Sequence, residues 1–189
     1  MKLYLSVISL SMLIITLLNA AFGAASLFGS LLAVVCCTAL AFIFDGIVAL
    51  LVSLLPDSLF GVDNEIFKVS KWEMELYRRL RVRLWKDKIW ELGGIGGFSK
   101  KHLKDPQSPE YIEKFIIECN KGVLTHRLSY PLGFIAMLIL PSPLAYTVAI
   151  PVAIVNLVLN VMPTMALRYN TVKLKAFLTR LKRRQKNQK

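Results

Sequence analysis

The chain contains the segment NLVLNVMPTMALRYN at residues 156–170, in which polar side chains recur every four positions. The recurring residues are Asn156, Asn160, Thr164 and Arg168. Because an α-helix turns once every 3.6 residues, this spacing places them along one slowly rotating stripe. A polar group inside hydrocarbon is costly unless it has a partner or lines a wet cavity. The segment therefore predicts a helix that carries a polar site within a membrane and continues into a basic tail.

Composition and charge extend this interpretation to the whole chain. Of its 189 residues 55% are hydrophobic, the formal net charge is +12 and the mean hydropathy is +0.53. Two apolar blocks, residues 3–55 and 128–167, contain none of the 24 lysines and arginines; apart from Lys2, these lie between the blocks or after the second. This pattern predicts a multi-pass protein of the cell membrane with both termini cytoplasmic. Anionic lipid headgroups explain the charge more simply than nucleic acid does, so we expect no nucleic-acid partner.

The first apolar block is long enough for two spans of roughly 20 residues. Small residues between Asn19 and Ser30 predict the turn that joins them. The start of the block also resembles a secretory signal peptide, but the apolar run that follows at once favours a retained first helix. Asp45 lies in the second span, where an acid needs a partner unless it lies at the outer interface.

The second apolar block breaks at Pro141-Ser142-Pro143. Residues 129–140 are either a short span or a re-entrant half-helix that precedes the last span. Basic flanks at both ends of the block favour an even number of crossings, so we predict four crossings in all.

The basic region between the two blocks has two helical patterns. From Ser70 to Glu91, tryptophan and leucine recur every four residues among arginines and lysines, which predicts a helix in the membrane interface or, alternatively, a solvated helix packed on a cytoplasmic domain. Ser108 as N-cap and Pro109 at the first helical position predict a second helix, which ends at about Arg127. Its predicted apolar stripe consists of Ile112, Phe115, Ile116, Cys119 and Val123.

The predicted fold is all-α, a polytopic membrane protein with about four transmembrane helices plus interfacial amphipathic helices. Its expected parts are an N-terminal transmembrane hairpin, a basic interfacial region, a second transmembrane hairpin and a basic cytoplasmic tail. They comprise residues 1–63, 64–127, 128–167 and 168–189.

Few residues are candidates for catalysis or for binding a charged group. His126 stands where the basic region meets the second block, and there it is either a general base that deprotonates a hydroxyl or a structural residue. Glu118 is eight positions earlier, which is about 80° around a helix and about 12 Å along it, too far for a direct hydrogen bond. Arg168 is either an oxyanion ligand or an anchor that extends to the interface. We expect His102 to be solvated in a lysine-rich loop, and the loop Gly93–Gly97 to be a hinge or, alternatively, a place where the backbone approaches a substrate phosphate.

Several other classes of site lack their signatures. The three cysteines have no spacing typical of a disulfide framework, a zinc site or a haem, so we expect no metal and no cofactor. The chain also lacks a nucleophile elbow, a Walker loop and the His-x4-Asp box of glycerolipid acyltransferases.

The order and spacing of several motifs resemble the glycosyl-4,4'-diaponeurosporenoate acyltransferases, small bacterial membrane proteins of carotenoid biosynthesis. The similarity covers about residues 67–184. The motifs are Tyr77, Trp85-Lys86-Asp87-Lys88, Ile117-Glu118, His126, Asn160-x-x-Pro163, Arg168-Tyr169-Asn170 and Leu174. Val123 and Leu167 differ from the family pattern, in which an acidic residue and a glutamine are common at these positions.

The resemblance implies an O-acyltransferase that moves a fatty acyl group from acyl-CoA or acyl carrier protein to a hydroxyl of a glycolipid or other lipid-linked acceptor. It makes His126, Glu118 and Asn160 the catalytic candidates, with His126 as base and Asn160 as oxyanion donor. The candidate substrate-binding residues are Arg168, Tyr169, Asn170, Asn156, Trp85 and Lys86. Expected partners are membrane lipids, the acyl donor and the acceptor. The alternative is a non-catalytic membrane protein that binds lipids or a partner.

Overall fold

The computed structural model describes residues 2–89 and 103–187, and within these it contains helices and turns but no strand. Its α-helices are α1 (Lys2–Ala21), α2 (Leu27–Ser53), α3 (Lys71–Arg79), α4 (Val82–Trp85), α5 (Pro109–Leu132), α6 (Ala136–Ile139) and α7 (Ile150–Lys186). Four helical segments of the described chain are long and apolar enough to cross a membrane: Tyr4–Ala21, Leu27–Ser53, Pro109–Ile139 and Ala145–Lys186. The all-α prediction with four such helices is confirmed.

The described chain forms two compact units. The first unit comprises Met1–Leu51 and Thr125–Met162, and the second comprises Val52–Leu124 and Pro163–Lys189. Helices α5 and α7 therefore contribute residues to both units.

Small side chains form the core of the first unit. Between α1 and α2 the chain turns at Gly23, whose φ of 69° is the left-handed conformation that glycine adopts without strain. Asn19, near the end of α1, donates from Nδ2 to the carbonyl of Thr147 over 2.9 Å and so ties α1 to the π-helical segment Ala145–Ala149 that leads into α7. The core residues are Ile15, Ala33, Val34, Cys37, Ala136, Val148, Ala149 and Val152. Many larger apolar side chains, such as Leu10 and Leu50, are exposed, as expected for helices that contact lipid.

The break in the second apolar block lies where the proline pattern predicts it. A short 3-10 turn, Gly133–Ile135, joins α5 to α6, and the chain becomes extended at Leu140. Residues 129–139 therefore complete the membrane-length helical segment that begins at Pro109 and do not form a span of their own. The helix that we expected to end at about Arg127 continues to Leu132, because nothing in its sequence stops it there.

Pro163 lies inside α7 without ending the helix. Proline has no N–H, so the carbonyl four residues earlier, that of Leu159, loses its helical donor. The hydroxyl of Tyr4 on α1 donates to that carbonyl over 3.1 Å. The hydrogen bond from α1 satisfies the group that the proline leaves unpaired.

In the second unit the predicted apolar stripe of α5 is confirmed, since all five of its residues are buried. Ile112, Phe115, Ile116 and Cys119 pack with Leu174 and Leu178 of α7. The predicted N-cap is also confirmed, because Ser108 Oγ accepts a hydrogen bond from the backbone N–H of Tyr111 over 3.1 Å.

The predicted single helix from Ser70 to Glu91 is wrong. Ser70 caps α3 as an N-cap serine does, but α3 ends at Arg79 and α4 begins at Val82. Between them Arg81 has a φ of 51°, a left-handed conformation that breaks the helix. Trp90, the loop Gly93–Gly97 and His102 lie outside the described residues.

Candidate functional site

A hydrogen-bonded polar cluster lies among the apolar helices of the first unit. His126 on α5 and Asn160 on α7 meet through Nδ1 and Oδ1 at 2.8 Å. Asn160 is only 5% exposed, so this contact is shielded from the surroundings. Two residues that the sequence analysis selected independently are thus hydrogen-bonded to each other.

The neighbours of Asn160 fix the orientation of its amide. Its Nδ2 donates to Asp45 Oδ2 on α2 at 3.1 Å, to the carbonyl of Asn156 at 3.1 Å and to Asn156 Oδ1 at 3.2 Å. These three atoms are acceptors, so the amide nitrogen faces them and Oδ1 faces His126. The ring then donates from Nδ1, and in the neutral ring Nε2 carries the lone pair.

Two polar atoms of the cluster could form hydrogen bonds that they do not form in this structure. Within the described residues, Asp45 Oδ1 and Asn156 Nδ2 are buried and have no hydrogen-bond partner. Leaving a buried polar atom unpaired costs roughly 1–3 kcal/mol, so such atoms are candidates for contact with a ligand. The cluster therefore offers one acceptor and one donor beside the histidine.

A glycine makes room for the cluster at the end of α5. A Cβ atom on Gly133 would lie 3.1 Å from Asn156 Nδ2 and 3.5 Å from Ala153 Cα. Most real Cβ contacts are longer than 3.1 Å, so Asn156 would have to shift if any other residue replaced Gly133. The glycine is a condition for the present position of the Asn156 amide.

These contacts suit the arrangement to proton transfer. A carboxylate, an amide and an imidazole follow one another, with each hydrogen bond setting the orientation of the next group. A histidine held in this way can accept a proton at Nε2, and a nearby carboxylate can compensate the charge that would develop on the ring.

The second unit contains a separate polar centre around Arg168 of α7. Arg168 is 4% exposed. Its guanidinium donates from Nη2 to Glu73 Oε2 at 2.6 Å and to the carbonyl of Lys68 at 3.0 Å, and it pairs with Glu73 through Nε as well. The hydroxyl of Tyr77 also donates to Glu73. Among the described residues Arg168 Nη1 has no partner.

The contacts of Glu73 shift the ionisation of both side chains on α3. Burial alone raises the pKa of Glu73, but hydrogen bonds from Arg168 and Tyr77 and the charge of Arg168 outweigh it, so the pKa is lowered. Burial, together with the hydrogen bond to Glu73, raises the pKa of Tyr77. Glu73 is therefore a carboxylate at neutral pH, and Tyr77 keeps its proton.

The remaining predicted site residues also belong to the second unit. Tyr169 is buried in a cluster with Tyr77 and Val82, and Trp85 packs beside it. The indole N–H of Trp85 donates to the carbonyl of Leu80 at 2.9 Å. The other three are Lys86, which is paired with Asp87, and the half-buried Asn170 and Glu118.

Asp45, Glu73 and Tyr77 were not among the predicted site residues. An acid within an apolar span was the available signal for Asp45, and its need for a partner was recognised without the partner being identified. Tyr77 belonged to the quoted motifs, but nothing in its position indicated Arg168. Glu73 had no distinguishing signal among the charges of α3.

A family model described as glycosyl-4,4'-diaponeurosporenoate acyltransferase matches residues 63–180, which include His126, Asn160 and Arg168 but not Asp45. No curated protein and no solved structure matches the chain at a significant level.

Both residues that differ from the family pattern lie in apolar surroundings in the second unit. Val123 is buried, and Leu167 packs against the cluster formed by α5 and α7. Apolar side chains at these positions are accordingly compatible with the packing of the unit.

Proposed function

The chain belongs to the glycosyl-4,4'-diaponeurosporenoate acyltransferase family, and from this premise we propose that it transfers a fatty acyl group to a hydroxyl of a glycolipid or other lipid-linked acceptor in the membrane, with His126 as the catalytic base. The observation that carries the proposal is the 2.8 Å hydrogen bond between His126 Nδ1 and Asn160. It leaves Nε2 as the basic nitrogen of the neutral ring.

The reaction needs one proton to move twice. His126 Nε2 takes the proton of the acceptor hydroxyl while the hydroxyl oxygen attacks the carbonyl carbon of the acyl thioester, supplied by acyl-CoA or acyl carrier protein. The tetrahedral intermediate collapses, the carbon–sulfur bond breaks, and the imidazolium returns the proton to the departing sulfur. The products are the ester and the free thiol, and His126 is again neutral.

Asn160 and Asp45 act as positioning residues in this proposal. Asn160 holds the imidazole through Oδ1, and Asp45 holds the Asn160 amide through Oδ2. The oxyanion role expected for Asn160 is reassigned, because its Nδ2 is already directed at Asp45 and Asn156. The negative charge of Asp45 favours the imidazolium through the intervening amide.

We also propose that Arg168 binds substrate, but only through the one guanidinium nitrogen that Glu73 and Lys68 do not occupy. Glu73 fixes the plane of the guanidinium, and Nη1 is left as the donor for an anionic headgroup or donor phosphate. Tyr169, Asn170, Trp85, Lys86 and Glu118 stay predictions of the sequence.

Lipid mass spectrometry tests the function. Cells that express the wild type are compared with cells that express His126→Gln and with cells that express His102→Gln, which changes the other histidine of the chain. We expect a lipid heavier by one fatty acyl group with the wild type and with His102→Gln, and its reduction by 100-fold or more, on the order of a general-base contribution, with His126→Gln.

Two results would contradict the proposal. A wild-type amount of the acylated lipid with His126→Gln removes His126 from catalysis. If the wild type is well expressed and its acceptors are present but no acylated lipid forms, the acyltransferase hypothesis is rejected in favour of a non-catalytic lipid-binding protein.

A further inference from the structure

A cleft opens in the first unit between α1, α2 and α7. Eight of its eleven lining residues are apolar, among them Ile8, Met12, Ala41, Val152 and Val155. Two of the three polar lining residues are hydroxyl side chains that their own helices already satisfy. Ser11 donates to the carbonyl of Val7 at 2.7 Å, and Thr38 to that of Val34 at 2.8 Å. The wall is thus apolar in effect except at Asn156.

The chemistry of this wall determines what can occupy the cleft. A buried water needs two to four polar partners, and a sugar needs more, which an apolar wall does not supply. The surrounding helices are of membrane-spanning length and expose leucines, so alkyl chains are the molecules available at the mouth. A cleft lined mainly by apolar side chains of three helices suits an alkyl chain better than a sugar ring.

Asn156 joins the cleft to the polar cluster. It lines the cleft, its Oδ1 accepts from Asn160 Nδ2 at 3.2 Å, and its buried Nδ2 has no partner within the described residues. A carbonyl group at this end of the cleft would lie beside Asn156, which is linked through Asn160 to His126. An apolar slot, an unused donor and a base therefore follow one another.

We propose that this cleft binds the fatty acyl chain that is transferred, and that Asn156 Nδ2 binds the carbonyl oxygen of that chain and stabilises the oxyanion formed on attack. This assignment rests on the acyltransferase function proposed above. It makes the cleft the determinant of acyl-chain length, because each methylene that fits or fails to fit changes discrimination by about tenfold or more.

Two valines of α7 provide a matched pair for the test. Val155 lines the cleft, whereas Val158 is half exposed and is not among the lining residues. Val155→Phe fills the cleft and is expected to shift the transferred chains to shorter ones, with a ratio of short to long chains about tenfold above that of wild type. Val155→Ala enlarges the cleft and is expected to shift them to longer ones. Val158→Phe is expected to leave the profile unchanged.

The two halves of the proposal separate kinetically. Asn156→Leu removes the carbonyl donor and is expected to lower the rate by about 100-fold, as loss of an oxyanion donor does, without changing the chain-length profile. Wild-type rates with Asn156→Leu overturn the role of the amide. An unchanged chain profile with both Val155→Phe and Val155→Ala overturns the assignment of the cleft, while acylation by the wild type upholds the function.

A binding measurement tests, independently of turnover, whether the cleft binds an alkyl chain. The purified protein is irradiated with palmitic acid that carries a diazirine along its chain, and labelled peptides are mapped. We expect labelling at Met12 or Val155 that falls several-fold with Val155→Phe but not with Val158→Phe. Equal labelling of these two variants overturns the cleft. If the cleft is labelled but the protein acylates no lipid, the cleft is still assigned as an alkyl-chain site, whereas the acyltransferase function is rejected.

Discussion

Asp45 of α2 contributes a carboxylate to the polar cluster of the first unit. Its Oδ2 accepts from Asn160, which in turn accepts from His126, so Asp45 is linked to the proposed base through one amide. Asn at position 45 keeps the shape but offers either a donor or an acceptor to Asn160, and the amide of Asn160 loses the reason for its present orientation. The wrong tautomer of a catalytic histidine is costly even where the geometry is intact.

We therefore expect Asp45→Asn to lower kcat by about 100-fold with the KM of both substrates unchanged. Steady-state kinetics of acyl transfer in proteoliposomes measure both constants. Asp57→Asn is the control, since Asp57 pairs with Lys121 in the second unit. A loss expressed only in KM would show that Asp45 binds substrate instead of orienting the base.

Glu73 and Glu75 lie on the same helix but differ in burial. The side chain of Glu73 is 17% exposed and binds a guanidinium that is almost fully buried, whereas Glu75 makes 3.5 Å pairs with two exposed arginines. Removing one partner of a buried pair leaves a buried charge, while an exposed pair contributes little. We expect Glu73→Gln to lower the free energy of unfolding by about 3 kcal/mol and Glu75→Gln by less than about 0.5 kcal/mol. Denaturant titrations in detergent compare them, and equal losses would contradict a buried pair.

The same carboxylate predicts a dependence of stability on pH. The pKa of Glu73 is lower in the folded protein than in the unfolded chain, where it is about 4.3. Its stabilising effect is therefore complete above pH 4.3 and is lost as the pH falls from there through the folded pKa. We expect the Tm of wild type in detergent to fall more steeply below pH 4.3 than that of Glu73→Gln. Parallel curves would exclude Glu73 as the source.

At the scale of helices, Gly133 sets how closely the end of α5 approaches α7. Gly133→Ala brings a Cβ to 3.1 Å from Asn156 Nδ2, so we expect a loss of about 1–3 kcal/mol in stability and a displaced Asn156 amide. Gly46→Ala on α2 is the matched control, because a Cβ there meets no atom within 4 Å. Alanine is the better helix former, so the control is expected to be neutral or to gain up to about 1 kcal/mol. Thermal unfolding and acyl-transfer rates of both variants test this prediction. Equal stabilities would contradict the close approach of Gly133 to Asn156.

The break at Arg81 is a helix end that the four-residue spacing of apolar residues does not predict. The leucines at 80 and 84 continue the four-residue spacing, and no glycine or proline marks a stop, so the sequence predicts one helix. In one helix Tyr77 and Val82 would point about 140° apart, yet both are buried in the same cluster with Tyr169. The left-handed turn brings them together. Helix ends set by caps and prolines were predictable from sequence, and this end, set by packing, was not.

The same contrast applies to the polar cluster of the first unit. Asn156 and Asn160 were predictable as site residues because a four-residue spacing on one helix is local information. Asp45 is 115 positions from Asn160, and no periodicity links α2 to α7. Its recognition required the fold, although an acid in an apolar span already indicated that a partner existed.

The charge distribution of the whole chain predicts a topology that can be measured directly. The turn after α1 and the break before α7 lie at the same end of the first unit, since Asn19 binds the carbonyl of Thr147. Basic residues lie between the apolar blocks and after the second, which predicts that this end faces outward and that the C-terminus is cytoplasmic. In a background with Cys36, Cys37 and Cys119 replaced by alanine, we expect a membrane-impermeant maleimide to label Ala24→Cys and Ser142→Cys on intact cells. Gln185→Cys is expected to react only after permeabilisation, and its labelling on intact cells would contradict the cytoplasmic C-terminus.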